Sequence, residues 1–429
     1  MKQIKYLFAI AVISMATRMF NLRMFFIGTM VWDVIVSCLI LLLCLYILFV
    51  QPRCFFHKAL ILCTCIFVAS LIVDTFACSR LHCPYFTVIK AMKFIVPGPM
   101  LCFVLYKFYN KTNDLEIVCN ALKYTMFFYL LLQFYAYFTH SYTSVFYDEF
   151  SSLRYDLSRQ RNFAPCVECF MIIVFILYLV DIQPKKTTLY MIEKWLYIIS
   201  YSFFILFVFM SKIYLITTLI VLCVWILFCS SFGFVRLIFI VTSFVLCVYA
   251  IDSVVRDEED STFKLYYEDF KYDNNHSSWA RKESLSGYYE LFKETKGMGL
   301  GHAAIHYDRD FAYLALDRRI TIYDIGAIGV FYQYGISMIV VSVIILSYFI
   351  NTLLKARYIT EPTIKKLSIC MTLFLVSIVV SLTPLWLHEI RACVCGFVFY
   401  FFMLIEDQIL IDSSNSDSRR YLRFSKIKS

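Results

Sequence analysis

Between Asp33 and Arg53 the chain runs for nineteen residues without a charge, through VSCLILLLCLYILFV (Val36–Val50). A second stretch, FMIIVFILYLV (Phe170–Val180), is as apolar. A run of about eighteen such residues is long enough to cross a bilayer as a helix. No water is present there to bond the backbone, so each crossing must satisfy its own amides and carbonyls. Composition agrees: 61% of the residues are hydrophobic and 17% charged, against about 45–50% and about 25% in soluble domains. The expected fold is an all-α polytopic membrane protein.

About twelve transmembrane helices are expected. They lie near Lys5–Phe20, Val31–Val50, Ala59–Cys78, Val88–Tyr106, Ile117–Phe138 and Phe163–Val180. The series continues near Trp195–Met210, Ile213–Phe228, Phe234–Ile251, Ile325–Ile350, Leu367–Leu387 and Ala392–Ile405. The first has the length of a signal peptide, but the series behind it favours an uncleaved helix. The organisation expected is a membrane bundle over 1–251 with an outer loop at 139–162, and a large, partly helical outer loop at 252–324. Membrane helices over 325–410 and a basic tail at 411–429 complete it.

Lys and Arg concentrate in the cytoplasmic loops of membrane proteins. With the N-terminus inside, Lys2, Lys5, Arg53, Lys58, Lys107 and Lys111 fall inside, as do Lys185, Lys186, Lys355, Arg357 and the basic tail. Both termini are expected in the cytoplasm. The net charge of +9 reports this topology. No nucleic-acid partner is expected, because a basic tail beside a membrane ordinarily faces anionic lipid.

The 17 cysteines sit almost wholly inside the apolar runs, where Cys behaves as a small hydrophobe. CTC, CVEC and CVC lack the second ligand pair a zinc site needs. No metal and no cofactor are expected.

Polar chemistry gathers in the two outer loops. Loops as long as 252–324 are usually functional or disordered, and this one is rich in aromatic residues and in both charges. SSWARKESLSGYYELFKET reads as a helix with Ser277 or Ser278 at its N-cap. The segment KGMGLGHAAIHYDRDF follows, with Gly297, Gly299 and Gly301 on alternate residues. A dinucleotide fingerprint needs a strand before the glycines and a helix after them, and neither is expected. His302 and His306 have the spacing of one helix face, but Ala303 stands where a zincin carries Glu. The glycines therefore read as a sharp backbone path that brings the loop against a neighbour at the membrane surface. The arginines Arg154, Arg159 and Arg161 crowd the first outer loop, while Arg281, Arg309, Arg318 and Arg319 flank the glycines. Their planar donor forks suit phosphate oxygens, and ion pairing with Asp308, Asp310 and Asp317 is the alternative.

WARKESLSGYYELFKETKGMGLG followed by YDIGAIGVFYQYG resembles the pattern of the O-antigen polymerase and O-antigen ligase superfamily. The matching features are Arg281 opening an aromatic-bearing helix, the Gly297–Gly301 turn, and Asp324 before a glycine-rich span. RQRNFAPCVE is similar to the family's arginine followed by a proline at a helix start, here Arg161 and Pro165. FMSKIYL (Phe209–Leu215) is similar to its short Ser-basic turn between two spans. Where ligases and some polymerases carry His-Asn before the glycine-rich span, this chain has Tyr323-Asp324.

The resemblance implies a bacterial inner-membrane glycosyltransferase with a periplasmic loop. It would polymerise polyprenyl-diphosphate-linked oligosaccharide repeat units into O-antigen, capsular or exopolysaccharide without a metal. Arg161 and Arg281, with Arg159 and Arg309, are the expected diphosphate ligands. Asp324 is the expected base, with His302 or His306 as substitutes. Partners implied are membrane lipid, the lipid-linked substrate, a chain-length regulator and a flippase. Ligase-like transfer is one alternative. A transporter is another, since Asp33, Asp74, Lys93 and Glu168 lie in or near spans where charge is costly.

Overall fold

The computed structural model describes residues 2–16, 57–80, 97–139, 154–156, 159–161, 167–182, 187–209, 211–228, 295–301, 327–383, 385–386 and 391–427, with scattered residues within 35–50, 238–245 and 285–293 and at 88. From 415 on only the backbone is described. The long elements are helices: α1 (Lys2–Ala16), α2 (Lys58–Arg80), α3 (Pro97–Phe108), α4 (Thr112–Phe138) and α5 (Val167–Val180). Next come α6 (Thr188–Phe203), continued by a π-helical turn over Phe204–Val208, and α7 (Lys212–Phe228). The C-terminal part holds α8 (Ala327–Tyr334), α9 (Ile336–Ala356), α10 (Pro362–Ser381) and α11 (Ala392–Ile427).

Among the described residues six helices are long and apolar enough to cross a membrane: Lys58–Arg80, Thr112–Phe138, Thr188–Val208, Ile336–Ala356, Pro362–Ser381 and Ala392–Ser414. Gln3–Ser14, Cys169–Val180 and Ile213–Phe228 are shorter apolar helices. Exposure points the same way as length. Helix α9 presents Ile339, Val340, Val343, Ile344 and Ile350 on its outer surface. Contiguous apolar surface of that kind is rare on a soluble monomer and is the ordinary lipid-facing surface of a membrane bundle.

Helix α11 is the central post, packed against α2, α3, α9 and α10. Its stretch from Phe397 to Met403 is fully buried all round, as expected of a helix with no polar face. It crosses α3 with backbones nearly in contact. A Cβ on Gly98 would collide with the carbonyl of Ala392, and a Cβ on Gly396 with the carbonyl of Gly98. Between membrane helices, where burial from water no longer drives association, such close approach supplies dispersion contacts. The helix continues to Ile427 without a break.

Polar side chains tie one end of the bundle together. Lys5 on α1 pairs with Asp114 on α4 at 2.9 Å, and the Tyr109 hydroxyl donates to the Lys5 carbonyl at 2.6 Å. Burial, with the Asp114 carboxylate adding to it, pushes the Tyr109 phenol above its ordinary range, so it remains a donor. On α11, Glu406 accepts from the Tyr348 hydroxyl at 2.7 Å and Asp407 from the Tyr106 hydroxyl at 2.5 Å. The His57 ring lies between them, 3.4 Å from each carboxylate. The opposite end holds the junctions described next.

Candidate functional site

The apolar run expected as one helix over 325–350 is broken. Helix α8 stops at Tyr334 and α9 starts at Ile336, with Gly335 between them at φ 62°, ψ −146°. That conformation belongs essentially to glycine. A break inside a membrane bundle leaves backbone groups that must be met by other protein, and the loop at 297–301 meets them. The Gly301 amide donates to the Gln333 carbonyl at 2.8 Å, and the Ile336 amide donates to the Gly297 carbonyl at 3.0 Å.

The glycines are what allow this. Gly297, Gly299 and Gly301 have φ of 78°, 84° and 70°, values L side chains adopt only with strain. Space is closed as well. A Cβ on Gly299 would lie 2.7 Å from the Gly335 nitrogen, and one on Gly301 would lie 2.9 Å from Asp74 Oδ1. The expected surface path is therefore a buried joint, since all three glycines are enclosed. The chain reaches it through helical residues at 285–287, 289–290 and 292–293, which fall within the helix expected there. Phe292 packs on Phe331 and Tyr332 of α8, with ring centroids 5.2 and 5.5 Å away.

Below the joint lies a polar layer. Asp74 on α2 is fully buried, and Gln333 is 3% exposed. Ser70, one turn from Asp74, donates to the Tyr334 hydroxyl at 3.4 Å. The start of α8 is fixed separately, by the Ala327 amide donating to the Leu382 carbonyl at 3.1 Å. Leu382 caps α10 in the left-handed conformation. Next to it Thr383 bonds Ser381 at 2.6 Å and the Tyr214 hydroxyl of α7 at 3.3 Å. Thus the junctions of α6 with α7, α8 with α9, and α10 with α11 share one end of the bundle. The first of these carries the π-helical turn, a feature frequent at functional sites, and leads into Ser211 and α7.

A short antiparallel ribbon pairs β1 (Arg154–Asp156) with β2 (Arg159–Arg161). Its register sets Arg154 opposite Arg161 and Asp156 opposite Arg159. Because strand residues alternate between faces, these four positions belong to one face of the ribbon and Tyr155 and Gln160 to the other.

Of the residues singled out in the sequence, Gly297, Gly299 and Gly301 are brought together with Gly335, Gln333 and Asp74. Arg159 and Arg161 are placed by their backbone alone. Arg281, Arg309, His302, His306 and Asp324 lie outside the described residues, as do Asp33 and Lys93. Sequence reasoning missed Gly335 as a break; its signal was the third glycine of IGAIGVFYQYG, after FYQY. Among the described residues no group of three His, Cys, Asp or Glu is arranged to hold a metal ion. The sequence matches no protein-family model and no curated protein.

Proposed function

We propose that the chain is a polymerase of polyprenyl-diphosphate-linked oligosaccharide repeat units, acting at the outer face of a bacterial inner membrane. In this reading about twelve helices cross the membrane, both termini are cytoplasmic, and residues 139–162 and 252–324 form periplasmic loops. The observation that supports it is the ribbon register, whose backbone sets position 154 opposite 161 and position 156 opposite 159, so that three arginines and one aspartate share a face. The planar donor fork of arginine suits the charged head of a lipid diphosphate. The glycine joint adds support, because it brings Gly297 and Gly301 of one stretch that resembles the family against Gln333 and Ile336 beside Gly335 of the other.

The chemistry has two requirements. As the glycosidic bond to the diphosphate breaks, charge develops on the leaving oxygen, and preorganised arginines stabilise it. Arg161 and Arg281 take that role, with Arg159 and Arg309 beside them. The acceptor hydroxyl must lose its proton to a base within hydrogen-bond reach. Asp324 takes it, and His302 and His306 are the substitutes. The sugar–phosphate bond breaks, the new glycosidic bond forms, and the lipid diphosphate leaves with the electron pair.

Direct in-line displacement inverts the anomeric centre. Comparing the linkage in the polymer with that in the lipid-linked donor tests this mechanism. Inversion is expected, with product formation lost in Arg281→Ala and Asp324→Ala; retention, or full activity in both variants, overturns it.

A further inference from the structure

Helix α11 outruns the bundle it holds together. Asp412 accepts from the Thr360 amide at 2.9 Å and from the Thr360 hydroxyl at 3.0 Å, which sets the turn between α9 and α10 level with Asp412. Glu406, Asp407 and Asp412 put that level at or past the edge of the hydrocarbon, since charge within it is costly. The helix then goes on to Ile427, a rise of about 22 Å. The stretch 415–427, NSDSRRYLRFSKI, holds no Gly or Pro to break it. At about 100° per residue the positions Arg419, Arg420, Arg423 and Lys426 fall within an arc of about 120°. Leu422 and Phe424 border that arc on its two sides, and Asp417 lies outside it.

A basic helix with apolar borders suits either a membrane surface or an acidic groove on a protein. Distance separates the two. A headgroup layer is about 5–8 Å deep, and the field of anionic lipid fades within a Debye length of about 8 Å. Arg423 and Lys426 stand about 16 and about 21 Å beyond Asp412 along the axis. At a tilt of about 40°, the upper end for membrane helices, Lys426 is still about 16 Å out. An unbroken helix curves only gently, so it does not fold down onto the surface. The stripe stands in water, where four cations in one arc complement carboxylates. We infer that the 415–427 stretch of α11 is a docking arm for an acidic helical segment of a soluble protein partner, not for the anionic lipid that a basic tail ordinarily faces. Neither the arm nor its partner depends on the polymerase reading.

The test uses the full chain in phosphatidylcholine nanodiscs and an alanine-based helical peptide with glutamates at i, i+4, i+7 and i+11, with binding read by fluorescence anisotropy. The paired exchanges Ser418→Arg with Arg419→Ser, and Ser425→Lys with Lys426→Ser, keep the net charge and scatter the stripe. The peptide is expected to bind the parent and to bind this variant about fivefold more weakly or worse, the size of losing two exposed ion pairs. No binding to the parent, or equal binding to both, overturns the inference. A fluorescent residue in place of Ser425 then reports depth in vesicles with and without phosphatidylglycerol. Quenching by aqueous iodide in both is expected. Quenching by a lipid-borne nitroxide once phosphatidylglycerol is present puts the arm on the membrane and overturns the inference. Tighter binding of a single-stranded oligonucleotide of the same charge overturns it in favour of a nucleic acid.

Discussion

The amide of Gly301 donates to the carbonyl of Gln333 at 2.8 Å, so a loop residue closes a hydrogen bond that a continuous helix would have kept for itself. Loop and broken helix are thus one structure. Neither a straight helix over 325–350 nor a free loop at 297–301 is compatible with this bond.

The first prediction concerns that joint. Gly299→Ala and Gly335→Ala each force a side chain into a positive-φ position and against backbone atoms. Each is expected to destabilise the chain by about 3 kcal/mol or more, read as a lowered melting temperature in detergent. Met298→Ala, at a half-exposed neighbour, is the control, expected within about 0.5 kcal/mol of the parent. Equal melting of all three contradicts the joint.

The crossing of α3 and α11 gives the second. Gly396→Val places two methyl groups where the Gly98 backbone already lies. Core overpacking costs about 1–3 kcal/mol and occasionally more, and backbone cannot yield as a side chain can. The variant is expected to lose its monodisperse peak in size-exclusion chromatography, while Ile411→Val, at an exposed site on the same helix, keeps it. A normal peak for Gly396→Val contradicts the close crossing.

Much of the helical frame was legible because an apolar run needs no partner to be recognised. The expected Ala59–Cys78 is Lys58–Arg80, and the expected Ile213–Phe228 is Lys212–Phe228. The break at Gly335 was hidden because its cause is tertiary. Nothing local to FYQYG announces that Gly297 and Gly301 will occupy the vacated hydrogen bonds. Asp74 was visible as a misplaced charge, but its neighbour, the Gly301 backbone, belongs to a distant part of the chain. The arginine pairing across the ribbon depends on strand register, which a list of nearby arginines does not contain.

Sidedness yields the third prediction. Lys111 and Tyr358 are exposed at the end of the bundle that holds Lys5 and Glu406, and Met298 is exposed at the other. Cysteines introduced at 111 and 358 are expected to react with an impermeant maleimide from one side of a vesicle, and a cysteine at 298 from the opposite side. Reaction of all three from one side contradicts the arrangement of the helices.

The fourth concerns the polar end. Removing Glu406 leaves the Tyr348 hydroxyl without its acceptor, and an unsatisfied buried donor costs about 1–3 kcal/mol. Glu406→Ala is therefore expected to melt lower than the parent. Adding Tyr348→Phe should recover part of the loss, because the orphaned hydroxyl is then gone. Strict additivity of the two substitutions contradicts a direct bond between them.

The most direct measurement gives the purified chain one defined lipid-diphosphate-linked repeat unit in detergent, where transport has no meaning, and reads the products by mass spectrometry. A series of lipid-linked glycans two, three and more units long is the predicted result. Recovery of the substrate alone, under conditions in which the chain stays folded, would contradict the account.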